Sequence, residues 1–275
     1  MKLVMTLTVR DEADILEANL DFHLAHGVDH VIATDNLSCD GSSEILRSYE
    51  ARNVLSYLRD DDDTYPQSAM TTRMARLAAG MRADWVINAD VDEFWYPHHG
   101  DLKAMLASVP ARAEAAAAPV LNFAPVAEPG YFADVMTVRH PAPRDEFGDP
   151  LRGKVCHRAL AEAQVLPGSH IVRRGMRVMT SERAPISILH FPARSYAQFE
   201  RKIATGGAAM MRRLTHPLAS VLRLARLYEM QQRGDLRALY DGMTLSDAAI
   251  AAGLQSGALL RDERLRTALD KARQA

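Results

Sequence analysis

Cysteine is nearly absent from this chain of 275 residues. Cys39 and Cys156 are the only two, far apart and in no CxxC or metal-finger spacing. That excludes a disulfide-stapled scaffold and a cysteine-held metal cluster, and it leaves a single bridge at most in an otherwise reduced protein. An excess of one charge is also missing, since 33 Lys and Arg face 35 Asp and Glu. A net charge of -2 provides no field for wholesale binding of nucleic acid or of an anionic membrane. Long apolar runs are lacking as well. The first, LVMTLTV, is stopped by Arg10 and Asp11, too short to span a bilayer and without a small-residue cleavage site. No later run reaches spanning length, so a cytoplasmic protein without a transmembrane segment is expected.

What is present is a globular composition, 48% hydrophobic, with a regular alternation of strand and helix signals in the first hundred residues. LVMTLTV reads as a strand, and the segment after it has apolar residues at Ile15, Leu16, Leu20, Phe22 and Leu24 before Gly27, which is a helix with its stop. VDHVIATDN, then SCDGSSEILRSYEAR, then VLSYL repeat the pattern. A helix introduced by Pro66 and the apolar strand DWVINAD complete it. Such spacing predicts an α/β fold with a mainly parallel sheet and flanking helices, whose ligands bind at the carboxyl ends of the strands. Residues 111–194 loosen into Pro- and Gly-rich segments with short β-like runs, read as an extension of the sheet with long loops. The alanine-rich AEAAAAP reads as a piece of helix or linker. From Ser195 the composition turns helical, with Gly206 and Gly207 as a break between helices. The expected domains are therefore 1–194 and a helical carboxyl-terminal subdomain, 195–275.

Three carboxylates, Asp90, Asp92 and Glu93, crowd the end of the strand in WVINADVDEFW. Charges so close repel one another and lose hydration, so they need a cation or a solvated turn. In an extended strand end, Asp90 and Asp92 point the same way and Glu93 the other. Hard oxygen ligands of that kind suit Mg²⁺ or Mn²⁺ that also takes phosphate oxygens from a substrate. The acid run Asp60 to Asp63 lacks the Gly and terminal Glu of a calcium loop and reads as solvated.

TLTVRDEADILEANLDFHLAHGVDHVIATDNLSCDGSSEIL followed by ADWVINADVDEFW resembles the family 2 glycosyltransferases of GT-A fold, in particular a bacterial branch with a DVDEF signature. LPGSHIV, ILHFP and FERKIATGG are similar to later segments of that branch. The resemblance implies a GT-A (Rossmann-like) mixed sheet and transfer of a sugar from a nucleotide-diphosphate sugar, such as a UDP-sugar, to a saccharide or glycoconjugate acceptor. It implies Asp90 and Asp92 as the DxD pair holding Mn²⁺ or Mg²⁺ on the diphosphate, with His190 as a late metal or diphosphate contact. It also implies Asp35 near the base, and Thr8 and Arg10, with Glu12 close by, lining the nucleotide pocket. Lys154 and Lys202 lie in segments that match the branch and, with Arg201, offer cationic contacts to the leaving diphosphate. Trp95 either packs in the core or stacks on a sugar. No Q-x-x-R-W-like segment follows the DxD, which argues against a processive polymer synthase.

An inverting transfer needs a general base to take the acceptor's hydroxyl proton. His170, Glu93, Asp134 and Glu182 are the candidates, with Glu93 also able to support the metal pair. Two rival functions are weaker. LSDAAIAAGLQSGALLRDERLR has a helix-turn-helix rhythm, but its second helix carries Asp262 and Glu263 beside its arginines, which is unfavourable against phosphates. A sugar nucleotidyltransferase would carry a Gly-rich basic loop after the first strand, where TVRDEAD stands instead. A non-catalytic nucleotide-sugar binder is the third reading, and the intact Asp90 and Asp92 argue against it.

Overall fold

A computed structural model describes residues 1–213 and 219–274; residues 214–218, which include the His216–Leu218 start of an expected helix, and Ala275 lie outside the described residues. The chain opens with β1 (Leu3–Val9), α1 (Ala13–Ala25), β2 (His30–Asn36), α2 (Ser42–Ala51), β3 (Leu55–Asp60), α3 (Gln67–Gly80) and β4 (Trp85–Asp90). There follow β5 (Glu93–Pro97), α4 (Leu102–Ala107), β6 (Ala115–Ala118), β7 (Val120–Asn122), α5 (Phe132–Val135), β8 (Val138–Arg139) and β9 (Lys154–Arg158). Then come β10 (Ala163–Val165), β11 (Val172–Arg174), β12 (Arg177–Val178), β13 (Ser181–Arg183) and β14 (Ile186–His190). The rest is α6 (Tyr196–Arg213), α7 (Ala219–Arg233), α8 (Leu236–Met243), α9 (Asp247–Ser256), β15 (Leu260–Arg261) and α10 (Arg264–Gln274). None of the described helices is long and apolar enough to cross a membrane.

Two compact units result, Met1–Val120 with Arg152–Ile188, and Leu121–Leu151 with Leu189–Ala275. The first holds a seven-stranded sheet in the order β13-β6-β9-β4-β1-β2-β3. It is mixed and mainly parallel, as expected, with β9 antiparallel to both β4 and β6. Every residue of β1 is buried, the signature of a strand covered on both faces. Val4, Ile32 and Val86 pack against Met74, Ala75 and Ala78 of α3. Along these strands the same face continues through Thr6, Thr8, Thr34, Asn88 and Asp90, because alternate residues share a face. The sheet therefore changes from apolar to polar towards its carboxyl edge.

Strand order locates the ligand crevice. From β1 the chain steps outward to β2 and β3, then returns to the other side of β1 as β4, so the winding reverses between β1 and β4. Ligands of open α/β sheets bind outside the carboxyl ends of the strands at such a reversal. Thr8 faces Asp90 there in the β1–β4 register.

Two expectations need correction. Ala115–Ala118 is a strand between β9 and β13, its helix propensity overridden by pairing on both sides and by burial of three of its four residues. Gly206 and Gly207 do not break a helix, since α6 runs through them in the second unit. A Cβ on Gly207 would lie 2.3 Å from the Tyr228 ring, so the missing side chain lets α6 and α7 approach. The second unit's core gathers Phe199, Ile203, Leu227, Leu236 and Tyr240. Its helix-turn-helix rhythm is interrupted by β15, which pairs with β8 while Asp262 takes hydrogen bonds from Arg139 and Arg264. No disulfide joins the exposed Cys39 to the buried Cys156.

Candidate functional site

Two of the three carboxylates, Asp90 and Glu93, find their cation inside the protein. Lys154 Nζ lies 2.6 Å from Asp90 Oδ2 and 2.5 Å from Glu93 Oε1, and the lysine is only 5% exposed. Topology explains the meeting. Because β9 runs antiparallel to β4, its first residue arrives where β4 ends, and its first residue is Lys154. Gln67, at the first turn of α3, donates to Asp90 Oδ1 at 2.9 Å, and the Asp90 N–H is directed at Glu93 Oε2 at 3.3 Å. Burial alone would push the lysine's pKa down; Asp90 and Glu93 outweigh it, and the ammonium is held above its ordinary value.

His170 belongs to the same neighbourhood. Its Nδ1 is 2.9 Å from the Gly153 carbonyl, which requires Nδ1–H as donor and leaves Nε2 with a lone pair. Burial lowers its pKa; the Gly153 carbonyl and Asp90 oppose that shift, and the charges of Lys154 and Arg152 reinforce it. Two glycines make room. Gly168 has φ +73°, and a Cβ there would come 2.7 Å from His170 Nε2. At Gly153, a Cβ would come 2.7 Å from the Ala118 carbonyl.

Beside this cluster, the carboxyl ends of β1, β2 and β3 carry a second polar group. Asp35 is fully buried and accepts from the Ser38 N–H, the Ser43 hydroxyl, the Tyr57 hydroxyl and, at 3.2 Å, Arg59. Burial tends to raise its pKa, but the hydrogen bonds from Ser43, Ser38 and Tyr57 hold the carboxyl below its usual range. Arg10 donates to Asn36 Oδ1 at 3.0 Å, while its buried Nε has no hydrogen-bond partner among the described residues. Glu12 is buried at the start of α1, its N–H donating to Ser42. Asp11, Leu37 and Tyr65 follow β1, β2 and β3 with φ of 54°, 63° and 49°. Left-handed backbone is costly for such side chains and clusters at functional edges.

Of the residues expected from the sequence, Asp90, Glu93, Lys154 and His170 come together, Asp92 lies in the intervening turn, and Thr8 is adjacent through the register. Glu182 stands on β13, three strands from β4 or about 14 Å at ordinary strand spacing, bonded to Arg112 at 2.9 Å. Trp95 is fully buried among core side chains. His190, Arg201 and Lys202 belong to the second unit, His190 at the end of β14 and the other two in α6. Asp134 lies in α5 of that unit. Gln67 and the Tyr57–Arg59 pair escaped the sequence reading. So did Asn19 and His23, although two polar residues four apart on the buried stripe of α1 were a usable signal.

No group of three or more His, Cys, Asp or Glu among the described residues converges as a metal cage. A hard divalent cation completed by phosphate oxygens needs only one or two carboxylates. Asp90, with a side chain 34% exposed, has the donor chemistry for that role, with Lys154 on its Oδ2, Gln67 on its Oδ1 and the remaining lone pairs open to a cation; Asp92 is buried in the turn beside it.

No protein-family model matches the chain, and no curated protein does. Solved structures do. TarS 1-349 of S. aureus in complex with UDP is 12% identical over all of this chain and 92% of its own, with a TM-score of 0.39. HddC from Yersinia pseudotuberculosis is 10% identical over 73% of this chain and 99% of its own, also at 0.39. A 4-diphosphocytidyl-2C-methyl-D-erythritol synthase is 10% identical over 79% of this chain and 86% of its own, at 0.32.

Proposed function

We propose that the chain is a GT-A-type glycosyltransferase, taking a nucleotide-diphosphate sugar such as a UDP-sugar and passing the sugar to a saccharide or glycoconjugate hydroxyl. The observation that carries this reading is the Lys154–Asp90–Glu93 cluster at the carboxyl end of β4, beside the reversal of the sheet. Asp90 and Asp92 would hold Mg²⁺ or Mn²⁺, which when bound would supply charge stabilisation to the leaving diphosphate. Lys154 and Gln67 fix the direction of the Asp90 carboxylate. Thr8 and Arg10 line the nucleotide side, and the Asp35 group holds the β2 end in shape. The neutral His170 takes the acceptor's proton at Nε2, since its Nδ1–H is already committed to Gly153. Glu93, buried and paired to Lys154, serves as a support of that lysine.

A nucleotidyltransferase is the second reading, and the turn after β1 weighs against it. Arg10-Asp11-Glu12 places two carboxylates where a triphosphate would need backbone and cationic donors.

Calorimetric titration of UDP, GDP and CDP, with Mn²⁺ and with chelator, tests the proposal. One nucleotide is expected to bind only with metal, and Asp90→Asn and Asp92→Ala are expected to abolish that metal-dependent binding while the fold stays intact. Binding of all nucleotides with no effect of metal would sink the metal–diphosphate part, and no binding at all would sink the donor site.

A further inference from the structure

The segment bearing Asp90, Asp92 and Glu93 is held from behind by two side chains that face away from solvent. Asn19 and His23 lie four residues apart on α1, on one side of the helix, and both are fully buried. Asn19 Nδ2 donates to the Val91 carbonyl at 2.9 Å and to the Glu93 carbonyl at 2.8 Å. His23 Nε2 accepts the backbone N–H of Trp95 at 3.1 Å. Three successive alternate backbone positions, 91, 93 and 95, are thereby tied to one helix.

The orientation of both side chains follows from chemistry. Turning the carboxamide over would set its oxygen against two carbonyl oxygens, so the amino group must face the turn. His23 Nδ1 lies 2.8 Å from the Asn19 carbonyl and 3.1 Å from Asn19 Oδ1, both acceptors, so Nδ1 carries the hydrogen. Nε2 is then a bare acceptor, as the Trp95 N–H requires. Each group orients the next, from the Asn19 carbonyl through the imidazole to Trp95. An apolar side chain at either position would leave buried carbonyl or N–H groups of the turn unmatched.

We infer that Asn19 and His23 are positioning residues, which set the backbone of the Asp90–Glu93 turn so that its carboxylates meet the diphosphate end of a nucleotide sugar. This inference rests on the proposed donor site and adds residues that touch no ligand. It predicts a defect at one end of the ligand only. The nucleoside end lies with β1 and β2, which these hydrogen bonds do not reach.

The test compares UDP with uridine by calorimetry, in the presence of Mn²⁺, on the wild type, Asn19→Leu and His23→Gln. His23→Gln is the milder change, because the Gln carbonyl can still accept an N–H. The expected result is a fall of tenfold or more in the UDP-to-uridine affinity ratio for Asn19→Leu, a smaller fall for His23→Gln, and uridine binding unchanged. Hydrogen exchange should quicken by at least tenfold at residues 91–96 and remain unaltered in β1 and β2. An unchanged ratio in a folded variant with a lowered melting temperature overturns the positioning role and leaves the donor site standing. Failure of the wild type to bind UDP overturns both, and is told apart by arising before any substitution. Should Asn19→Leu not fold, His23→Gln with a wild-type ratio and wild-type exchange at 91–96 refutes the inference alone.

Discussion

Removing the ammonium of Lys154 should be among the most damaging single changes in the first unit. In Lys154→Met, the stem is replaced at similar volume and the charge is lost, leaving Glu93 with a side chain 3% exposed and no cation beside it. Breaking a buried ion pair from one side costs about 3–5 kcal/mol, because the remaining charge is desolvated without return. Asp90 adds less, since its side chain is a third exposed and water screens it. For a chain of this size, 1 kcal/mol moves the melting temperature by about 2–4 °C, so a drop of about 6–20 °C is expected. A pH dependence should accompany it. In the wild type the lysine pKa is raised, so its contribution is complete below the unfolded value and is lost only at strongly alkaline pH. In the variant, the buried carboxyl relieves its cost by taking a proton, so the loss should be larger at pH 8 than at pH 5. Urea unfolding of Lys154→Met, Glu93→Gln and the double variant at both pH values measures the coupling. A cost below about 1 kcal/mol that is equal at the two pH values would refute the reasoning, because the pair would then contribute no more than a surface bridge.

Three other predictions follow from the same geometry. Asp35→Asn keeps the shape but removes the charge that Arg59 and Tyr57 address, and should cost about 2–3 kcal/mol in urea unfolding, as expected for bonds to a buried carboxylate; a loss under about 0.5 kcal/mol would contradict the hub. Burial pushes the pKa of His23 down to about 3 and that of His157 to about 4, so unfolding takes up protons below the ordinary histidine value. Stability should therefore fall as pH drops from about 6.5 towards 4.5, by about 1.4 kcal/mol per pH unit for each histidine; a flat profile over that range would show that neither is buried neutral. His170 titrates below its ordinary value, so transfer to an acceptor should persist below pH 6.5 and be lost only at lower pH. His170→Ala should remove that acid limb and lower the turnover number with little change in nucleotide affinity, whereas equal loss of both would refute its role as base.

The elements of the first hundred residues were legible because their apolar spacing is dictated by burial on known faces. LVMTLTV and WVINAD lie in the centre of the sheet and show it by their unbroken apolar starts, Leu3–Met5 and Trp85–Ile87, before polar residues enter towards the carboxyl edge. Ala115–Ala118 was illegible for the opposite reason. Its local preference is helical, and only β9 and β13, from elsewhere in the chain, make it a strand. The same holds for Gly207, whose function is to vacate space for a ring 21 residues away in sequence. At the site, Asp90 and Glu93 could be picked out because like charges in a short span demand an explanation. Glu182 could not be judged, since distance across a sheet is set by strand order, which no local pattern contains.

The sequence raised the question of what neutralises a row of carboxylates at the end of a buried strand, and strand direction decides the answer. A parallel β9 would have begun at the opposite edge of the sheet and left Lys154 far from Asp90. Reversing one strand among seven brings its first residue to the carboxyl edge, where a lysine only 5% exposed can hold Glu93 and still share Asp90 with solvent. The same reversal carries Gly153 to that edge, and through its carbonyl fixes the tautomer of His170. Charge compensation and orientation of the histidine thus have one topological cause. Mutations that shift β9 by a single residue should disturb both at once, because a one-residue slip turns each side chain to the other face.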